Sequence, residues 1–140
     1  MFVLKRPKEI KTLALEMKWQ YFEKLVGWVF EQNGFDVRVN VTESFGQGRK
    51  RQFDVVAEGF RVTFLVECKK WSGKRHKVSL LKKAVKEHRK RCGMYAKKHG
   101  KDVVPLVVTL TEEDILLHEK IPIIPVDKLN TFINHFEEWI

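Results

Sequence analysis

Phe60-Arg61-Val62-Thr63-Phe64-Leu65-Val66-Glu67-Cys68-Lys69-Lys70 is the stretch on which the reading of this chain turns. In an extended strand Phe60, Val62, Phe64, Val66 and Cys68 point one way, and Glu67 and Lys69 fall together on the other side. Opposite charges two residues apart in an apolar strand are costly unless they face water, pair together or hold a ligand. Upstream, Gln52-Phe53-Asp54-Val55-Val56 opens a second apolar strand, residues 53–58, with an acid near its start. A tight turn near Gly59 makes the two strands a hairpin centred on residues 59–61. That hairpin sets Asp54 within one or two residues of register of Glu67. Two carboxylates so close repel unless one takes a proton or a cation sits between them. Hard oxygen donors suit Mg²⁺ or Mn²⁺. Lys69 beside such an ion can orient a water and offset charge on a phosphate.

Working outward, residues 10–33 carry a helical pattern. Leu15, Trp19, Phe22, Val26, Val29 and Phe30 share one side, with Leu25 beside them, and Asn33-Gly34 ends the helix. Glu23 lies at the edge of that apolar arc, and Gly27, one turn on, leaves room beside it. Residues 35–42 alternate as a half-buried strand through Phe35, Val37, Val39 and Val41, and residues 43–51 read as a loop. Beyond Trp71-Ser72-Gly73 a second helix repeats Val78, Leu81, Val85, His88, Cys92 and Tyr95 on one stripe. The charged residues off that stripe, Arg91 among them, are expected in solvent. Residues 103–110 form a continuous apolar strand of the kind buried on both faces. Thr111-Glu112-Glu113-Asp114 resembles a capping box and opens a short helix to about Lys120. Residues 121–125 are a short strand, and Asp127 caps a last helix to Phe136. The order α-β-β-β-α-β-α-β-α means an α/β fold, a mixed sheet flanked by helices. Residues 1–140 read as one domain, in keeping with the length.

Charge is unevenly spread. Residues 74–101 hold nine Lys, three Arg and one Glu, a net +11, whereas residues 102–140 carry −6 and the whole chain +9. Such polarity suits a phosphate-bearing partner. No apolar run approaches the roughly 18 residues of a membrane span, and none follows the basic N-terminal residues as a secretory signal requires. Cys68 and Cys92 cannot build a disulfide framework or a four-ligand zinc site, and both read as small buried hydrophobes. The five His show no metal spacing, and His88 reads as a structural residue of its stripe. The expectation is a reduced, cytoplasmic protein with no membrane partner, holding at most a loosely bound ion.

An acid, a strand-turn-strand and Glu-x-Lys, here Asp54 and Glu67-Cys68-Lys69, resemble the PD-(D/E)XK nuclease superfamily. Phe22-Glu23-Lys24-Leu25-Val26 and Asn33-Gly34-Phe35-Asp36-Val37 are similar to the opening helix and first strand of archaeal Holliday-junction resolvases. That likeness implies that Glu23 joins the metal site and that the loop Ser44-Phe45-Gly46-Gln47-Gly48 approaches DNA. Residues 103–124 look more like Mrr-type restriction endonucleases. The resemblance covers roughly residues 18–136 and implies a restriction-endonuclease-like fold. Phe53 stands where the family often has Pro. The basic helix lacks the Gln-x-x-x-Tyr of RecB-like exonucleases, and no second domain to read a DNA sequence is apparent.

The resemblance thus implies an Mg²⁺-dependent (or Mn²⁺-dependent) DNA endonuclease, structure-selective toward branched DNA of the junction or repair type. Asp54 and Glu67 would hold the metal, with the Cys68 backbone carbonyl a further ligand. Lys69 would position the water and Glu23 would complete the site. Arg49, Lys50, Arg51, Lys70, Lys74 and Arg75 would hold phosphates, and Lys82 and Lys86 would continue that surface. The alternatives are a non-catalytic nucleic-acid-binding protein on the same scaffold, an Mrr-type restriction nuclease domain, or a nuclease acting on RNA. Cutting both strands symmetrically would require a homodimer, for which Trp19 and Trp28 are candidate contacts.

Overall fold

Helix α1 (Trp19–Glu31) ends where the sequence stops favouring it. Gly34 takes a φ of +84°, its N–H bonds to Glu31 O and the Phe35 N–H reaches back to Phe30 O, a Schellman closure. The computed structural model describes residues 19–69, 77–113 and 116–136. The expected helical residues 10–18, and Lys70, Trp71, Lys74, Arg75 and His76, lie outside the described residues, as does the Trp19 side chain.

Strands β1 (Asp36–Ser44), β2 (Lys50–Glu58) and β3 (Thr63–Lys69) follow as an antiparallel meander. Helix α2 (Lys77–His99) crosses over to β4 (Val104–Thr109), which pairs parallel with β3. The short β5 (Leu117–His118) and β6 (Ile121–Pro125) complete a mixed six-stranded sheet of order β1-β2-β3-β4-β6-β5. A 3₁₀ turn (Val126–Lys128) leads into α3 (Leu129–His135). Helices α1 and α3 cover one face: Phe22, Leu25, Phe30, Leu129 and Phe132 bury Val55, Phe64, Val66, Cys68 and Leu106. Helix α2 covers the other, with Cys92 and Tyr95 on Phe53, Val56 and Leu65, and Leu81 and Val85 on Val107 and Ile123. The α/β fold expected from the sequence is present. No described helix is long and apolar enough to cross a membrane.

Several elements differ from expectation. The helix anticipated over residues 111–120 is absent among its described residues, because Thr111 spends its groups otherwise. Its carbonyl accepts the Thr109 hydroxyl at 2.7 Å and its own hydroxyl meets Glu113 Oε2. Instead, His118 pairs with Ile121 across Glu119-Lys120, which both take positive φ (49° and 67°), as a two-residue I′ hairpin requires. Asp127 does not cap α3: it sits in the 3₁₀ turn, and the residue before the helix is Lys128. Val78 is exposed although it falls on the apolar stripe of α2. Strand β2 begins three residues earlier than expected, so Lys50 and Arg51 belong to a strand, paired with Ser44 and Glu43, and the loop is only residues 45–49.

The β1–β2 pair also changes face. Val37 and Val39 lie against Gly27 of α1, whereas Val41 and Phe53 join the cluster under α2. The change falls where Asn40 adopts a φ of +55° and where the ladder omits the Asn40–Asp54 pair.

Candidate active site at the open end of β2 and β3

The ladder between β2 and β3 runs from Glu58–Thr63 to Val55–Val66 and stops. The next step in that register sets Asp54 opposite Glu67. The backbone N–H of Cys68, with no β2 carbonyl to meet, donates to Asp54 Oδ2 at 2.8 Å. The face change at Asn40 and the end of the ladder thus coincide at Asp54, and a side chain that would stand on one face of a regular sheet is drawn to its open end.

Glu67 is buried, with 8% of its surface exposed, and Cys68 turns into the core with none. Burial pushes the Glu67 carboxyl up to about 7, aided by the hydrogen bond and repulsion from Asp54, while Lys69 acts against the shift. Burial also raises Asp54; its bonds to Glu67 and to the Cys68 N–H lower it, and Glu23 raises it further. The two carboxyls titrate as a pair, and burial raises both. Glu23, 3% exposed on α1, stands beside Asp54. Lys69 Nζ lies 3.9 Å from Glu67 Oε2.

Glu23, Asp54 and Glu67 open onto a cleft of about 580 Å³ that Asn40, Lys50, Arg51, Gln52 and Arg91 also line, whereas Lys69 is not among its lining residues. Of the residues expected to meet phosphate, the structure brings Lys50 and Arg51 here. Arg49 instead lines a neighbouring groove with Phe45, Lys97 and Lys98. Lys82 and Lys86 are exposed but do not line the cleft. Arg91, expected in solvent, is only 26% exposed at its side chain and reaches Glu67 Oε2 at 3.1 Å. The sequence signal for it was weak: Glu87-x-x-x-Arg91 is an ordinary helical ion pair, and here the two groups are 3.9 Å apart.

His88 is buried; its Nε2–H donates to Leu65 O at 2.8 Å, and burial holds its pKa below the usual value. Burial drives the Cys68 and Cys92 thiols upward, so both stay protonated.

Among the described residues no three Asp, Glu, His or Cys groups form a ready-made metal cluster. The donor set still fits a single hard cation. Asp54 and Glu67 are carboxyl oxygen donors brought together in the cleft, and burial raises both of them.

A family model described as a restriction endonuclease, Mrr_cat, matches residues 14–101. An uncharacterized protein of Archaeoglobus fulgidus is 29% identical over 124 residues, covering 89% of this chain and 95% of that protein. In structure the chain is similar to the small subunit (R.BspD6I2) of the heterodimeric restriction endonuclease R.BspD6I. The TM-score is 0.54 at 19% identity, over 94% of this chain and 78% of that one. It is similar also to protein VC1899 from Vibrio cholerae, with a TM-score of 0.53 at 16% identity over 86% of this chain. The match spans a third (33%) of that protein's length.

Proposed function

This chain belongs to the Mrr_cat restriction endonuclease family, within the PD-(D/E)XK superfamily, and from that premise we propose that it is a divalent-cation-dependent DNA endonuclease. The observation that carries the reading is the coupled Asp54–Glu67 pair at the open end of β2 and β3, with Lys69 3.9 Å from Glu67 and basic residues along the cleft. Asp54 and Glu67 would hold Mg²⁺ or Mn²⁺, with the Cys68 carbonyl a further ligand and Glu23 completing the acidic end. When bound, the ion supplies charge stabilisation to the phosphodiester and eases deprotonation of the attacking water. Lys69 orients that water for in-line attack. Lys50 and Arg51 hold the flanking phosphates, and the Cys68 N–H fixes the Asp54 carboxylate.

Branched DNA is the substrate class proposed first. Cleavage of both strands of a duplex would call for a second copy of the chain, since one cleft addresses one strand. The test is a cleavage panel with Mg²⁺ or Mn²⁺ and an EDTA control: four-way junction, flap, linear duplex, single strand and RNA, each with wild type and Asp54→Asn. Cation-dependent cutting of DNA that Asp54→Asn abolishes supports the reading. Tight DNA binding with no cutting in any arm would leave a DNA-binding scaffold without catalysis. A preference for the linear duplex would replace structure selectivity by restriction-type action.

A further inference from the structure

Arg91 reaches the carboxylate pair from α2, the helix on the opposite side of the sheet from Glu23. Its Nη1 lies 3.1 Å from Glu67 Oε2 and its Nη2 lies 3.9 Å from Glu87 Oε2, one helical turn back. Lys69 Nζ approaches the same Glu67 oxygen at 3.9 Å, so Oε2 already faces two cations in the free protein. Arg91 also lines the cleft beside Lys50 and Arg51. A guanidinium presents five donors in a planar fork that matches a phosphate bidentately. One hydrogen bond to Glu67 and a longer ion pair to Glu87 do not exhaust that fork.

We propose that Arg91 is a phosphate-binding residue of the cleft which, in the free protein, holds Glu67 in the place a divalent cation would take. A DNA phosphate then draws the guanidinium from Glu67 and leaves the carboxylate to the ion. Glu87 keeps the side chain at the rim in either position. Cation and DNA therefore assist each other's binding, and the assistance is reciprocal. The inference rests on the reading of Asp54 and Glu67 as cation ligands.

The test is Mn²⁺ binding to the DNA-free chain, read as loss of the free Mn²⁺ paramagnetic resonance signal. Wild type, Arg91→Gln, Arg91→Lys and Lys50→Gln are compared, and the salt dependence of duplex binding is measured in EDTA. Arg91→Gln is expected to bind Mn²⁺ several-fold more tightly, and Arg91→Lys to fall between it and wild type. Lys50→Gln, which removes an equal charge from the same rim, should change the affinity less. In EDTA, Arg91→Gln should lower the log–log salt slope by about one. Mn²⁺ affinity in Arg91→Gln no greater than in wild type or in Lys50→Gln would overturn the proposal, as would an unchanged slope. Uptake of Mn²⁺ by none of the four proteins would overturn the cation reading itself, and this proposal with it. Equal uptake by all four would remove only the part assigned to Arg91.

Discussion

Glu67 is an acid whose proton the fold holds toward neutral pH, burial and Asp54 outweighing the cations beside it. Its carboxyl is raised from 4.5 to about 7 by burial and by Asp54. Between those pH values the folded, cation-free protein binds more protons than the unfolded chain. Glu67's contribution to stability is therefore fully present below about pH 4.5 and is lost as pH rises through about 7. The loss amounts to roughly a few kcal/mol, because each tenfold change in proton affinity is worth about 1.4 kcal/mol. Thermal melts in EDTA should show Tm declining across that window, and Glu67→Gln should flatten the decline. At pH 8, Mn²⁺ should restore several degrees to wild type and little to Glu67→Gln. A wild-type Tm indifferent to pH between 5 and 7 would refute the coupled pair. Glu67→Ala should abolish cleavage while leaving DNA affinity intact or raised, because an anion leaves a phosphate-binding cleft. Equal losses of cutting and binding would indicate a folding defect instead, and unchanged cutting would end the catalytic role.

Elements whose physics is local could be read from the sequence, and those set by a partner element could not. Strand β3 is a continuous apolar run, and the apolar stripe of α2 repeats at helical spacing, so both were legible, as was the opposition of Asp54 and Glu67 once Gly59 marked a turn. The change of face at Asn40 was hidden because Val37, Val39 and Val41 keep alternating in sequence while the strand twists beneath them. Arg91 was hidden because its charge matches that of its neighbours and only the flank of α2 it occupies sets it apart. Strand β5 was hidden because Glu119-Lys120 is not the Asn-Gly expected of a I′ turn. That last miss makes a prediction: Glu119→Asn with Lys120→Gly should raise stability by about 1 kcal/mol, since both positive-φ positions lose strain. A fall in Tm would show that the Arg89–Glu119 contact at 3.6 Å matters more than the turn. Gly27 makes the opposite case. A methyl group there would meet Val37 Cγ1 at 2.9 Å and Val39 Cγ2 at 3.4 Å. Alanine gains about 1 kcal/mol of helix propensity, yet crowding α1 against β1 costs about 1–3 kcal/mol. Gly27→Ala should therefore leave stability level or lower it by up to about 2 kcal/mol. A clear gain in denaturant midpoint would mean that the helix and strand can part freely.

At the scale of the molecule, the charge surface and the cleft point in different directions around α2. The basic segment on that helix dominates the chain's net +9, but a helix turns 100° per residue and spreads its lysines over three sides. Arg91 marks the side toward the cleft through Glu67. Arg89 marks the side toward β5 and β6 through Glu119. Lys82, two turns before Arg89, lies almost in line with it and half a turn away from Arg91; Lys86 lies between Lys82 and the solvent face. Phosphates seated at the cleft would thus meet Lys50 and Arg51 from β2, and Arg91, before they met Lys82 or Lys86. Each phosphate contact removed lowers the log–log salt slope of duplex binding by about one. Lys50→Ala with Arg51→Ala should therefore lower it by about two. The loss should be alike for every duplex sequence, because phosphate contacts position a protein without reading bases. Lys82→Ala with Lys86→Ala should leave the slope near the wild-type value and weaken binding only through the change in net charge. The measurement is the association constant of a short duplex at several salt concentrations in EDTA, so that cleavage does not intrude. The reverse pattern, with the slope carried by Lys82 and Lys86, would mean that DNA lies across the β5–β6 side of α2.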